Sequence, residues 1–137
     1  MAAQNIPATL PVVRRTPTAA GPGESSVWTP NTDIYLTDDG LVIKVELAGM
    51  RKEDLELTVE NHVLRIRGER HDGCRSHRCR FVVMEISYGR FESLIELPEG
   101  YDLSAAKASY QNGFLRIEVP FASSQRSEPF PVPIESA

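Results

Sequence analysis

Residues 107–120 read Lys-Ala-Ser-Tyr-Gln-Asn-Gly-Phe-Leu-Arg-Ile-Glu-Val-Pro, and this stretch decides the fold. Apolar and polar residues alternate on both sides of Asn112-Gly113, which is the period of a half-buried strand. Asparagine and glycine both accept a positive φ, as the tight two-residue hairpin turns require. The stretch therefore predicts a β-hairpin in which Tyr110 pairs back against Leu115.

The same alternation recurs upstream, and turn residues such as Asp39-Gly40 and Asn61-His62 separate the runs. No segment between them is long and periodic enough for a sizeable helix. Short, evenly spaced strands with turn signals predict an all-β protein with an antiparallel β-sandwich. The predicted strands occupy residues 34–36, 41–47, 55–59, 63–67 and 91–97.

Length and charge limit the classes of function. A chain of 137 residues fits one domain with tails, and a net charge of −4 argues against nucleic-acid binding. No apolar run approaches the roughly 20 residues that span a bilayer, and the N-terminal residues lack the uninterrupted hydrophobic core that is typical of a secretory signal. Two cysteines fit a reducing compartment, so the sequence predicts a cytoplasmic protein.

Catalytic and metal-binding patterns are weak. Ser87 and Ser93 have no histidine partner in a known motif, so we expect neither an enzyme nor a cofactor. Four residues with zinc-ligand chemistry fall within nine positions among arginines, a spacing unlike that of structural zinc sites. We interpret this cluster as an exposed polar loop, with a zinc site or a disulfide as the alternatives: His71, Cys74, His77 and Cys79.

Residues 1–27 carry four prolines and no apolar periodicity, which predicts a flexible N-terminal arm. Apolar side chains are nevertheless scattered along the arm and at its end: Ile6, Leu10, Val12, Val13 and Trp28. They indicate either an inert leader or a segment that binds partner chains and exposed hydrophobic surfaces.

The connection between residues 68 and 89 is long for a compact domain, and it contains an apolar, β-prone segment. An extended strand on such a connection can pair with the sheet edge of a second subunit, or fold back on its own domain. We predict strand exchange within a dimer by this segment, through Val82, Val83, Met84 and Ile86.

Near the C-terminus, prolines at alternate positions hold residues 129–134 extended. Val132 and Ile134 then project to the same side, and Pro133 reduces the entropy that docking would cost. The pattern Val132-Pro133-Ile134 predicts an oligomerisation tail that docks into a groove on another chain.

Four segments, in this order along the chain, resemble the α-crystallin domain of the small heat-shock proteins, of the bacterial and plant type. They are residues 28–34, 47–55, 87–91 followed by 97–100, and 107–120. The resemblance divides the chain into an arm (1–27), an α-crystallin domain (28–120) and a C-terminal extension (121–137). It implies an immunoglobulin-like sandwich.

The resemblance also implies a function. Proteins of this family are ATP-independent holdases that bind unfolding clients and work as oligomers of dimers, which favours a client-binding arm here. The pattern Val132-Pro133-Ile134 resembles the tail motif of the family. The resemblance implies that this tail docks between edge strands, here at Leu55, Leu57, Val59, Ala108 and Tyr110. A co-chaperone or adaptor that binds one folded partner is the alternative.

One position departs from the family pattern. Many relatives carry an arginine where this chain has Ser93, and that arginine belongs to an ion pair at the dimer contact. Arg90, three residues earlier, is the candidate to replace it. We expect Arg67, Arg70 and Arg90 to meet acidic groups at the dimer contact rather than to take part in catalysis.

Overall fold

The structure is a computed structural model that describes residues 10–17, 27–73, 78–122 and 129–136. These ranges contain ten strands. They are β1 (Arg14–Pro17), β2 (Thr32–Thr37), β3 (Gly40–Glu46), β4 (Leu55–Glu60), β5 (Val63–Arg70), β6 (Gly89–Glu96), β7 (Lys107–Gln111), β8 (Phe114–Pro120), β9 (Phe130–Pro131) and β10 (Ile134–Ser136). Short 3-10 helices, Lys52–Asp54 and Leu103–Ala105, precede β4 and β7.

The strands form two five-stranded sheets, in the orders β1-β6-β5-β4-β9 and β10-β7-β8-β3-β2. Neighbouring strands are antiparallel except β10 and β7, which are parallel. This two-sheet arrangement confirms the predicted all-β sandwich.

The hairpin at Asn112-Gly113 forms as the sequence predicts. Asn112 has φ 53° and Gly113 has φ 84°, and the register places Tyr110 opposite Leu115. The β4–β5 hairpin uses Asn61 in the same way, at φ 56°. Turn chemistry therefore sets the register of both hairpins, and a register shift of one residue would turn their apolar faces to solvent.

The core lies between the sheets and consists of the inward side chains of alternating strand positions. Burial of one such side chain contributes about 1.5–3 kcal/mol. The largest fully buried members are Phe91, Leu41, Ile43, Leu47, Leu64, Ile66, Ile95, Leu115, Ile117, Val45, Val59 and Val119.

Terminal segments add strands that the sequence pattern did not predict. Strand β1 lies inside the segment predicted as a flexible arm and pairs with β6, with Arg14 opposite Glu96. Strands β9 and β10 lie in the C-terminal extension. Edge pairing explains the difference, because backbone hydrogen bonds need no apolar periodicity.

Ser93 faces the interior of the sandwich. Its side chain is fully buried, between the buried Phe91 and Ile95 on the same face of β6, and its hydroxyl has no hydrogen-bond partner. A charged side chain at this position would be buried as well, at a large desolvation cost. Arg90 is exposed, and no ion pair joins it to another described residue.

We expect Ser93→Ala to raise the free energy of unfolding by about 1 kcal/mol, because it removes a buried hydroxyl that bonds to nothing. Urea unfolding at fixed protein concentration measures the change. Ser109→Ala, at a half-buried position of β7, is the control and should stay within about 0.5 kcal/mol of the parent. A marked loss of stability in Ser93→Ala would show that the hydroxyl has a partner in solution.

Candidate functional site

The predicted tail groove lies where β4 of one sheet and β7 of the other receive the C-terminal strands. We define the tail groove by the predicted residues of these two strands. Leu55, Leu57, Val59 and Ala108 are buried there, and Tyr110 is half-buried. The structure therefore brings together residues that are separated by about fifty positions in the sequence.

Residues 129–136, the tail, occupy this groove on their own chain. Strand β9 pairs with β4, with Pro131 opposite Thr58, and β10 pairs with β7, with Ile134 opposite Ala108. Between them the backbone N–H of Val132 donates to the carbonyl of Leu57 at 3.2 Å. One peptide thus joins the edges of both sheets.

The two apolar tail residues point into the groove and the proline between them does not. The side chain of Val132 is 6 % exposed and belongs to the core, Ile134 packs partly against it, and Pro133 is exposed. A cavity of about 260 Å³ remains beside them, lined in part by Lys52, Leu55 and Leu57. The sequence pattern did not predict that the tail lies in the groove of its own chain.

Tyr110 fixes the turn that leads into β4. Its hydroxyl donates to the carbonyl of Leu47 at 2.6 Å and accepts from the N–H of Met50 at 3.2 Å. One side chain on β7 therefore anchors the chain segment that precedes the first groove residue, Leu55. Sequence analysis placed Tyr110 in the groove but gave no signal for these two bonds.

Asp54 supports the same turn. The backbone N–H of Arg51 donates to its carboxylate at 3.3 Å and lowers the pKa of that carboxyl, and the charge of Arg51, whose Nε lies 3.6 Å from Oδ2, acts in the same direction. The ionised carboxylate closes the 3-10 turn Lys52–Asp54 just before β4 begins.

The predicted exchange segment is exposed and unpaired. Val82 is 95 % exposed, and Val83, Met84 and Ile86 are also exposed, as is their neighbour Phe81. Residues 81–88 form no strand in the single chain. Strand β2, at the outer edge of its sheet, has a partner only on the side of β3 among the described residues.

Arg70 holds the base of this loop. Its guanidinium lies 4.5 Å from the ring centroid of Trp28 and donates to the carbonyls of Ser87, at 2.9 Å, and Ala48, at 3.3 Å. The ring of Tyr88 lies 5.9 Å away on the other end of the loop. The cluster closes one wall of a cavity of about 610 Å³.

Trp28 belongs to the folded domain rather than to a free arm. Its indole N–H donates to the carbonyl of Gly89 at 3.1 Å, and its ring lies 5.1 Å from that of Phe91. Val13 also packs against the core. Leu10 and Val12 are 75 % and 73 % exposed, whereas Ile6 lies outside the described residues.

Two of the arginines expected at a dimer contact are engaged within the chain. Arg67 pairs with Glu56 at 2.8 Å, which raises the pKa of the guanidinium and lowers that of the carboxyl. Arg70 bonds to the carbonyls of the loop base. Arg90 is exposed beside the cavity that Glu69 and Glu92 also line.

The cluster discounted as a metal site is only partly described. His71 lies 3.8 Å from both Asp54 and Glu69, and Cys79 is disulfide-bonded, so the disulfide alternative holds for Cys79. Cys74 and His77 lie outside the described residues. Within the described ranges, no group of three or more potential ligands could hold a metal ion.

The part of the chain that the structure describes contains no helix that could cross a membrane. No helix there combines the length and the apolar character that a bilayer crossing needs. Ser87 is exposed and Ser93 is buried without a partner, and neither hydrogen-bonds to a histidine among the described residues.

These features define a class of domain: a two-sheet β-sandwich with terminal strands at its edges and an exposed apolar loop. The model of the Hsp20/alpha crystallin family matches residues 33–135, which is most of the chain. The chain belongs to this family, as the resemblance implies.

Curated relatives come from bacteria and plants. The chain is 34% identical over 91 residues to small heat shock protein C2 of Rickettsia felis, covering 66% of this chain and 59% of that protein. It is 39% identical over 101 residues to a 17.8 kDa class I heat shock protein of Solanum lycopersicum, covering 72% and 65%. The match thus spans less than two thirds of the length of these relatives.

Solved structures share the fold. The crystal structure of hspA from Xanthomonas axonopodis has a TM-score of 0.66 and 29% identity, covering 72% of this chain and 99% of that chain. A small heat-shock protein from Xylella fastidiosa has the same TM-score and identity, covering 74% and 93%.

We expect Arg70→Gln to lower the free energy of unfolding by about 1–2 kcal/mol, because the contact with Trp28 and two hydrogen bonds are lost. The emission of Trp28, the one tryptophan of the chain, should shift to the red as its ring becomes exposed. Urea unfolding followed by tryptophan fluorescence measures both effects.

Arg65→Gln is the matched control, since Arg65 makes an ion pair with Glu92 at 3.2 Å and is itself exposed. In Arg65→Gln the free energy of unfolding should fall by less than about 1 kcal/mol, and the emission of Trp28 should not shift. Equal losses in the two variants, with unchanged emission, would contradict the anchoring role of Arg70.

Proposed function

We propose that the protein is an ATP-independent holdase chaperone that binds unfolding proteins, prevents their aggregation under stress and works as an oligomer of dimers. One observation carries the proposal. The chain belongs to the Hsp20/alpha crystallin family, and its fold leaves apolar side chains exposed on the N-terminal arm and on the loop before β6. The relatives named above are heat shock proteins, which supports a chaperone role.

Client binding needs sequence-tolerant contacts. An unfolding protein exposes apolar side chains of many kinds, and burial of apolar surface is non-directional. Leu10 and Val12, both largely exposed beside β1, offer such a surface, with Ile6 farther along the arm. Binding of this kind requires no nucleotide and no chemical step.

The dimer would form by strand exchange. The segment with Val82, Val83, Met84 and Ile86 exposes apolar side chains and forms no strand alone. Among the described residues, no strand pairs with the outer edge of β2. Pairing of this segment with β2 of a second copy would satisfy both sets of backbone groups. Arg90 would lie near this contact.

Larger assemblies would form by tail docking. The groove accepts Val132 and Ile134 with backbone pairing on both sides, so the same groove on a neighbouring dimer can accept the tail of another chain. The similar protein from Xylella fastidiosa is described as having a distinct high order structure, which supports an assembly larger than a dimer here.

An adaptor or co-chaperone that binds one folded partner is the second candidate. One observation favours it: the tail lies in the groove of its own chain, so a single protomer fills its own groove. The two candidates differ in size and in breadth of binding, since an adaptor needs no large assembly and protects few proteins.

We expect Ile134→Gly to reduce the size of the native assembly while dimers persist, because one of two apolar tail contacts is lost. Sedimentation velocity and native mass spectrometry measure the size. Glu135→Gln, at an exposed tail position, is the control and should assemble like the parent. An unchanged size in Ile134→Gly would count against assembly by the tail.

The same measurement tests strand exchange with Val83→Asp, which places a charge on the exposed apolar segment. This variant should lose the dimers themselves and give monomers. If it remains dimeric, another surface forms the dimer. A parent protein that is a stable monomer would exclude the proposed mechanism.

We expect the protein to suppress light scattering from a heat-labile enzyme during heating, without ATP, because it covers the apolar side chains that the unfolding enzyme exposes. Leu10→Asp/Val12→Asp should suppress it less, because charges replace exposed apolar side chains of the arm. Arg14→Asp/Arg15→Asp is the control and should suppress scattering like the parent, because it reverses the charge at two exposed positions of the same segment without removing an apolar side chain. A scattering curve identical with and without the parent protein would refute holdase activity.

A further inference from the structure

The turn between β7 and β8 is the one place in the chain where a glycine follows an asparagine. Asn112 is exposed and Gly113 is half-buried, and both have a positive φ, 53° and 84°. The fold uses this pair to set the register of the hairpin. The pair also places the side-chain amide of an asparagine beside the main-chain nitrogen of a glycine.

The main-chain nitrogen of Gly113 takes no part in the hairpin ladder. The ladder ends at the pair Gln111 and Phe114, so the N–H groups of both turn residues lie beyond its last hydrogen bonds. No described residue accepts a hydrogen bond from the N–H of Gly113. Glycine also has no side chain that would hinder an approach to its nitrogen.

The structure requires glycine at this position for reasons unrelated to the nitrogen. Its φ of 84° strains a residue that has a side chain, and a Cβ at Gly113 would lie 3.1 Å from both Cα and Cβ of Ala48. A residue that shields the nitrogen would therefore destabilise the turn. The unhindered asparagine–glycine pair is thus a consequence of the turn geometry.

We propose that Asn112 is a site of spontaneous covalent modification, at which the side chain forms a cyclic imide with the nitrogen of Gly113 and then yields an aspartyl or isoaspartyl linkage. In the first step the Gly113 nitrogen attacks Cγ of Asn112. A new N–Cγ bond forms, and the bond from Cγ to the amide nitrogen breaks. Ammonia leaves and carries away the proton of the attacking nitrogen.

Water completes the reaction. Its addition at Cγ breaks the new N–Cγ bond and leaves an aspartyl side chain on an unchanged main chain. Its addition at the main-chain carbonyl carbon of Asn112 breaks the original peptide bond, so the main chain then runs through Cγ and gains one methylene group. Either route consumes one water, releases one ammonia in total and adds one negative charge, with no change in oxidation state.

The isoaspartyl product alters the turn that positions β7. The carbonyl of Gly113 accepts from the N–H of Leu47 at 2.7 Å, and the carbonyl of Leu47 accepts from the hydroxyl of Tyr110 at 2.6 Å. An added main-chain atom beside Gly113 displaces its carbonyl and lengthens a turn whose two residues match the twist of the strands. The modified hairpin therefore loses its tie to the segment that leads into β4.

The β4–β5 hairpin provides an internal comparison. Asn61 is exposed and has φ 56°, like Asn112, but His62 follows it. The histidine side chain hinders an approach to its own main-chain nitrogen, so the same turn geometry reacts more slowly at Asn61. A difference in rate between the two sites therefore isolates the contribution of Gly113 from that of exposure in a turn.

Peptide mapping of the full chain after incubation at neutral pH for several weeks tests the proposal, with the sample at time zero as the blank. Trypsin places Asn112 in the peptide of residues 108–116 and Asn61 in that of residues 53–65. Fragment spectra locate the mass increase at each asparagine, and a protein isoaspartate methyltransferase measures the isoaspartyl product in the digest. Asn112 should convert at least about tenfold faster than Asn61.

A synthetic peptide of residues 107–120, incubated alongside the protein, shows how fast the same pair reacts in the absence of the fold. If the peptide converts and Asn112 of the folded chain does not, the proposal is wrong. Equal rates at Asn112 and Asn61 would also overturn it, because Gly113 would then have no role. So would a free peptide that remains unchanged.

Asn112→Gly is the matched variant, since glycine accepts the positive φ and has no amide to react. The urea midpoint of the parent should fall during incubation as the isoaspartyl product accumulates, whereas that of Asn112→Gly should stay constant. Freshly prepared Asn112→Asp carries the added charge without the added methylene and should unfold at the midpoint of the fresh parent.

An incubated parent that contains the isoaspartyl product and keeps its midpoint would contradict the effect on the hairpin. These measurements involve neither a client nor the size of the assembly. The modification at Asn112 and the proposed holdase function can therefore fail independently of each other.

Discussion

Backbone pairing at the sheet edges is the constraint on which the rest of the structure depends. Every strand at an edge has N–H and C=O groups on one side that need partners or water. In this chain the two termini supply partners for three such edges, and the Val132 to Leu57 hydrogen bond lies between two of them. The apolar contacts of the tail add to this pairing, so the edge and the groove form one surface.

The core explains why the edges can be exchanged without loss of the fold. Side chains such as Phe91, Ile43 and Leu115 are fully buried between sheets that the terminal strands only border. The hairpins at Asn61 and Asn112 fix the register of the central strands by local geometry. Removal of a terminal strand therefore leaves the central strands and most of the buried side chains in place.

Sequence reasoning predicted what depends on local pattern. Alternation and turn residues were sufficient for the central strands, and the tail residues Val132 and Ile134 were identified as an apolar pair. Contacts between distant segments carry no such signal: the position of Arg70 over Trp28 and the bonds of the Tyr110 hydroxyl arise only when sheets pack. Strand β1 was missed because pairing through the backbone leaves no apolar period in its residues.

The alternate prolines of the tail have a consequence for its outer side. Along an extended strand, successive N–H groups point to opposite sides, and that of Val132 points inward to Leu57. The outward positions are Pro129, Pro131 and Pro133, which have no N–H to donate. A further strand beside β9 would find no donors on this side, so the prolines make β9 a poor edge for the continuation of its sheet.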